Sequence, residues 1–227
     1  MNDSPIELLK QLVAINSVNP DLVPGGKGEA EIVDFCSAWF AARDFEVHRL
    51  ESRSGRPSVV GIARGSGGGR SLMFNGHIDT VSIATYDGDA LDPVVRDGKL
   101  FGRGSFDMKG GVAAMMVAAA RAKAKGVRGD ILVACVADEE YASFGTEDVA
   151  EAFKTDAAIV TEPSHLELTV AHRGFAWFDV VVEGRAAHGS RPELGIDAIA
   201  KAGKFLVALE DYDKRLRAKP THALLKS

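Results

Sequence analysis

The sequence predicts an α/β fold, a doubly wound mixed sheet with helices on both faces, followed by the start of a smaller α+β domain. Two observations predict it. Short apolar runs of strand length alternate with segments of helical period through the first three-quarters of the chain. Near Gly174 that alternation gives way to a single aromatic-rich strand pattern and one more helix. At 227 residues the chain holds roughly 1.5 domains at about 150 residues per domain, which suits one domain and part of another. The expected division is 1–174 and 175–227.

The first helix opens with Ser4 as a cap and Pro5 at the first helical position, and Leu8, Leu9, Leu12 and Val13 form its apolar face. Asn19-Pro20 and Pro24-Gly25-Gly26 mark a loop. A second helix is expected from Glu29 to Arg43, with Ile32, Val33, Cys36, Trp39 and Phe40 spaced by three and four. Strands are expected over Val47–Leu50, Ser58–Ala63, Ser71–Phe74, Ile131–Ala137 and Ala157–Val160. A small-residue helix, Met108–Lys125, separates the third strand from the fourth, and a helix over Thr146–Phe153 separates the fourth from the fifth. Beyond Gly174, Phe175–Glu183 reads as a strand. A loop through His188 and a helix over Ile196–Leu209 follow.

Composition narrows the function classes. Hydrophobic residues make up 46% and charged residues 26%, which excludes a disordered polymer. The net charge is −5 and no basic block is present, so a nucleic-acid partner is not expected. The N-terminus lacks a positive region followed by an apolar one, so it does not read as a secretory signal. The longest apolar stretch, Gly110–Ala120, falls short of the roughly 18 residues that span a bilayer. Cys36 and Cys135, the two cysteines, sit among apolar residues and read as core thiols in a reducing cytoplasm.

The chemistry gathers at strand ends. Three apolar strands each run into residues able to bind metal: Asn75-Gly76-His77-Ile78-Asp79, Asp138-Glu139-Glu140 and Thr161-Glu162-Pro163. Asp107 stands at the head of a helix, where the dipole favours an anion. In an open α/β sheet the site lies beyond the carboxyl ends of the strands. Taken singly, each group has a plain reading: a surface His–Asp pair, a solvated acidic turn, a helix cap, a strand exit. Gathered on one rim, carboxylates repel unless a cation lies among them. One histidine with several carboxylates suits a hydrolytic zinc-type site, and two metals about 3.5–4 Å apart would share a bridging carboxylate.

Gly76-His77-Ile78-Asp79-Thr80-Val81, Gly102-Arg103-Gly104-Ser105-Phe106-Asp107-Met108-Lys109-Gly110-Gly111, Asp138-Glu139-Glu140 and Glu162-Pro163 resemble the metal-site motifs of one enzyme family. It is the zinc-dependent peptidase and deacylase family of acetylornithine deacetylase, succinyl-diaminopimelate desuccinylase, aminoacylase-1 and carboxypeptidase G. Ala186-Ala187-His188-Gly189-Ser190-Arg191-Pro192, with Gly195-Ile196-Asp197-Ala198-Ile199, is similar to the family's lid motif. Leu8-Leu9-Lys10-Gln11-Leu12-Val13 and Ser17-Val18-Asn19-Pro20 are similar to its first helix and loop.

The resemblance implies a phosphorylase/hydrolase-like sheet and an amidohydrolase that cleaves N-acyl amino acids or small peptides bearing a free carboxylate. It implies two Zn2+ ions, for which Co2+ can substitute, and a homodimer formed through the lid. His77 and Glu162 would hold one zinc, Glu140 the other, and Asp107 would bridge. Glu139 would be the general base that takes a proton from the bridging water. Position alone does not choose between Glu139 and Glu140, which point opposite ways in an extended segment. Asp79 would orient the His77 imidazole. His188, from the lid of a partner subunit, would stabilise the developing oxyanion. His172 and Arg173 read as hinge and packing residues, and His48, His165 and His222 carry no motif.

The family pattern includes one more histidine ligand after the lid, and no segment after Gly195 resembles it. The chain therefore reads as shortened at its C-terminal side. A second expectation follows from this: a non-catalytic remnant that binds one metal at His77, Asp107 and Glu162 and serves as a dimerising or regulatory module. A purely structural zinc domain fits less well, because such sites favour cysteine ligands.

Overall fold

The structure, a computed structural model, describes residues 4–171, 174, 176, 178–220 and 223–224. The chain divides into two units, Met1–Leu166 and Glu167–Ser227.

In the first unit, α1 (Pro5–Ala14) starts where expected: Ser4 accepts a hydrogen bond from the Glu7 N–H, and Leu8, Leu9, Leu12 and Val13 are buried. Then come α2 (Ala30–Ala41), β1 (Glu46–Leu50), β2 (Ser58–Ala63) and β3 (Leu72–His77). A short hairpin of β4 (Val94–Arg96) and β5 (Lys99–Phe101) follows, and after it α3 (Lys109–Ala124), β6 (Ile131–Val136), α4 (Phe144–Ala152) and β7 (Ala157–Val160). The sheet order is β1-β2-β6-β3-β7. The β1–β2 and β2–β6 pairs are antiparallel, and the β3–β6 and β3–β7 pairs are parallel, so the sheet is mixed. Every residue of the central strands β2 and β6 is buried, as continuous apolar runs covered on both faces should be.

Alternation along those strands sorts the core into two layers. Val59, Ile131, Val133 and Cys135 pack with α1, α2 and α3. Val60, Ile62, Met73, Leu132, Ala134 and Val136 pack with Val149 of α4 on the opposite face. From β3 the chain crosses through α3 to β6 on one side. From β6 it returns through α4 to β7 on the other side of β3. That reversal opens a crevice at the carboxyl ends of three parallel strands, and this positions the site.

The hairpin β4–β5 has no counterpart in the sequence expectations. Its Asp97-Gly98 pair has φ of 50° and 72°, a two-residue turn with both central residues left-handed.

The second unit departs further from expectation. Its helix α5 (Ala198–Arg217) starts under an Asp197 cap and continues well past Leu209. Charge pairs one turn apart carry it on: Glu210–Lys214 at 3.2 Å and Asp213–Arg217 at 2.7 Å. The strand expected over 175–183 does not form among the described residues of that stretch. A strand needs a neighbour to satisfy its backbone, and among the described residues the pairing here reduces to a single bridge between Arg185 and Ile196. His172, Arg173 and His222 lie outside the described residues.

Candidate metal centre

Each strand end delivers one part of the site. His77 is the last residue of β3, and its N–H donates to Met108 Sδ at 3.2 Å, which ties the strand to the start of α3. Its ring is almost wholly buried, and Nδ1 lies 3.0 Å from the Asp79 carbonyl oxygen. A proton on Nδ1 serves that carbonyl and leaves Nε2 facing the acids. From Nε2 the distances are 3.1 Å to Asp107 Oδ1, 3.7 Å to Glu139 Oε2 and 3.7 Å to Glu162 Oε1. Asp107 stands just outside α3, whose N-cap is Met108, and its carboxylate meets the imidazole instead of capping the helix. The Asp107–Met108 peptide bond is cis.

The acidic turn after β6 is built on Asp138. This residue has φ of 65°, and its carbonyl accepts hydrogen bonds from the N–H groups of Ala142 and Ser143. The turn projects Glu139 and Glu140. Their backbone N–H groups donate to Asp79 Oδ1 and Oδ2 at 3.1 and 3.2 Å. Asp79 therefore supports His77 through its carbonyl and the acidic turn through its carboxylate. Glu162 follows Thr161, whose N–H donates to the Asn75 carbonyl at 3.0 Å. At Gly111 the first turn of α3 lies so close that an added Cβ would fall 2.2 Å from the Thr161 oxygen.

Ligand atoms of His77, Glu139 and Glu162 all lie within 4.8 Å of one another, and so do those of His77, Asp107 and Glu140. The electrostatics of this cluster are unbalanced. Burial alone would lower the His77 pKa, but hydrogen bonds to Asp107 and Asp79 and the surrounding negative charge hold it up at about 11. The hydrogen bond from His77 keeps Asp107 below the usual carboxylate range. Asp79 is also lowered: burial opposes this, but His77, Asn19 and the Glu139 N–H outweigh it. Burial pushes Glu140 up to about 7 and raises Glu162, and in both cases neighbouring carboxylates add to the rise while His77 offsets it. One imidazolium does not neutralise five carboxylates. An all-oxygen-and-imidazole donor set with excess negative charge fits divalent cations.

The site opens onto a pocket of about 270 Å3 lined by Val81, Arg103, Phe106, Asp107 and Glu140. A larger open groove of about 530 Å3, near Arg49 and Asp148, carries none of these groups. His188 belongs to the second unit, where it is exposed. Its Nδ1 receives the Ser190 N–H at 3.2 Å and lies 2.8 Å from Ser190 Oγ. With Nδ1 accepting, the ring proton is on Nε2.

Behind the site, sequence reasoning missed a buried layer. Asn19 donates from its amide to Asp79 Oδ2 at 2.7 Å and to Asp138 Oδ1 at 3.0 Å, and Arg56 contacts both Asn19 and Asp138. Asn19-Pro20 reads as a loop that resembles a family motif but carries no assigned role for the Asn19 side chain, and a lone Arg before a strand carries no pattern.

A model of peptidase family M20/M25/M40 matches residues 73–218, a span that includes every acid of the cluster and His77. The chain belongs to this peptidase family. It is 33% identical over 186 residues to an acetylornithine deacetylase of Myxococcus xanthus, covering 79% of this chain and 48% of that one. It is 30% identical over 224 residues to a succinyl-diaminopimelate desuccinylase of Parvibaculum lavamentivorans, covering 92% and 55%. The chain spans about half the length of these relatives. A tripeptidase from Staphylococcus aureus shares the fold with a TM-score of 0.62 at 20% identity, over 89% of this chain and 55% of that one. Among the described residues, no helix is long and apolar enough to cross a membrane.

Proposed function

We propose that this M20-family chain is a metal-dependent amidohydrolase that cleaves N-acyl amino acids or small peptides with a free carboxylate. The observation that carries this reading is the convergence of His77, Asp107, Glu139, Glu140 and Glu162 on one rim with their charge uncompensated. Its relatives named acetylornithine deacetylase and succinyl-diaminopimelate desuccinylase lend it support.

In this reading His77 and Glu162 would hold one zinc and Glu140 the other, Asp107 would serve both, and Co2+ could replace zinc. When bound, such ions polarise a carbonyl and lower the pKa of water. The chain's own residues do the rest. Glu139, nearly half exposed and 3.7 Å from the imidazole, takes the proton of the attacking water and returns it to the leaving amine. Asp79 keeps the His77 ring in one tautomer and anchors the turn that carries Glu139. The Nε2–H of His188, contributed by a partner subunit, is the donor we assign to the developing oxyanion. The pocket beside Asp107 and Glu140 receives the substrate. A homodimer formed through the second unit is part of the proposal, supported by exposed Ile199, Leu206 and Val207 on α5. So is a cytoplasmic setting, supported by the free, buried Cys36 and Cys135.

One observation favours a second reading. His77 is the single histidine of the cluster among the described residues, which suits a one-metal module without catalysis. Incubating the chain with Zn2+ or Co2+ and a panel of N-acyl amino acids separates the two. The hydrolase reading expects amine release, reduced about 10²–10⁴-fold in Glu139→Gln. No hydrolysis of any member of the panel contradicts it.

A further inference from the structure

Arg56 is a cation in the wrong place for a surface residue. It is 8% exposed, at the end of the loop between β1 and β2, and no expected ligand touches it. Its guanidinium is divided among four partners. Nε and Nη2 form a fork onto Glu29, at 2.6 and 2.7 Å, and Glu29 is itself fully buried. Nη1 reaches Asp21. Nη2 also donates to Asn19 Oδ1 at 3.1 Å and to Asp138 Oδ1 at 3.0 Å.

The last two contacts lead into the metal centre. Once Asn19 Oδ1 is occupied by Arg56, its amide nitrogen is the end that faces Asp79 and Asp138. Asp79 in turn accepts the N–H groups of both Glu139 and Glu140 and lies against His77. Asp138 is fully buried. Its Oδ2 has no hydrogen-bond partner among the described residues, so its charge is balanced through Oδ1, by Asn19 and Arg56. Removing that balance leaves an uncompensated carboxylate at the root of the acidic turn.

We infer that Arg56 is a positioning residue for the metal centre, acting through Asn19 and Asp138 to fix His77, Glu139 and Glu140 before any ion arrives. The inference rests on the metal-centre reading above. Arg56 touches no ligand atom. Its effect is that His77, at the end of β3, and Glu139 and Glu140, on the turn after β6, hold one arrangement, which a flexible cluster would have to assemble at the moment of binding. A lysine would keep the charge and lose the fork, because an ammonium does not hold Glu29 bidentately while reaching Asn19 and Asp138.

Cobalt(II) titration of the full chain, followed by visible absorption, tests this, with thermal unfolding measured on the same samples. Arg56→Lys and Asp138→Asn are the variants. The expected result has three parts. Wild-type chain takes up cobalt with a resolved ligand-field band. Both variants bind about 10–100-fold more weakly with an altered band shape. Asp138→Asn keeps a cooperative unfolding transition. A purely structural role for Arg56 would lower the melting temperature but leave the band shape of bound cobalt unchanged, and that result overturns the inference. Equal affinity and equal spectra in all three proteins overturn it too, while the metal-centre reading stands. No cobalt uptake by wild-type chain overturns the metal-centre reading and this inference together.

Discussion

Burial would strip the proton from the His77 imidazole, yet the acids around it hold its pKa at about 11. Without a metal, the groups that the histidine serves least give up their negative charge most readily, and Glu140 is the clearest of them. Its carboxyl is raised from 4.5 to about 7, first by burial and then by Asp107, Asp79 and Glu139. The folded state therefore prefers the neutral carboxyl. That preference contributes stability fully below pH 4.5, and the contribution is lost as pH rises through about 7. Glu140→Gln imitates the neutral form at every pH. In metal-free chain it should be more stable than wild type at pH 8, by about 1 kcal/mol once solvent screening of a half-buried group is allowed for. At pH 4.5 the two proteins should match. Urea unfolding at both pH values checks this; equal midpoints at pH 8 contradict it. The same substitution should weaken metal binding, so stability and binding move in opposite directions.

At the scale of elements, α3 shows how packing overrules local preference. Gly110 and Gly111 occupy its first turn, where alanine would ordinarily favour a helix by about 1 kcal/mol. Here an added Cβ at Gly111 meets the Thr161 carbonyl oxygen at 2.2 Å, and that backbone leads directly to Glu162. Gly111→Ala should therefore destabilise the chain by about 1–3 kcal/mol and also weaken metal binding. Thermal unfolding with and without zinc measures both effects, and a stabilised variant would show that the helix can move away. Lys109 belongs to the same junction. It is 1% exposed, and its ammonium donates to the Leu12 and Ile15 carbonyls at 2.9 Å, closing the end of α1 against α3. Burial lowers its pKa to about 7.

At the scale of the whole molecule, patterns of period were legible and long-range partners were not. The apolar faces of α1 and α2, the continuous runs of β2 and β6 and the acids at three strand ends can all be read from spacing. The β4–β5 hairpin was missed although Asp97-Gly98 is a strong turn signal, because its strands have three residues each and are exposed or only partly buried. The strand expected over 175–183 is absent among the described residues of that stretch for a different reason. Its apolar residues satisfy a strand pattern, but a pattern does not supply a hydrogen-bonded neighbour. The network of Asn19, Arg56 and Asp138 was illegible because it joins residues 37 to 119 positions apart through buried charge, which leaves no local signature.

Divalent cations, in the proposed function, relieve the crowding of carboxylates at the ends of β3, β6 and β7. Calorimetric titration of zinc into exhaustively dialysed full chain, for wild type and Asp107→Asn, tests this most directly. We expect saturable binding by wild type and affinity at least about tenfold weaker in the variant, which loses one carboxylate of the His77, Asp107 and Glu140 set. No saturable binding by wild type, or the same isotherm from both proteins, would contradict it.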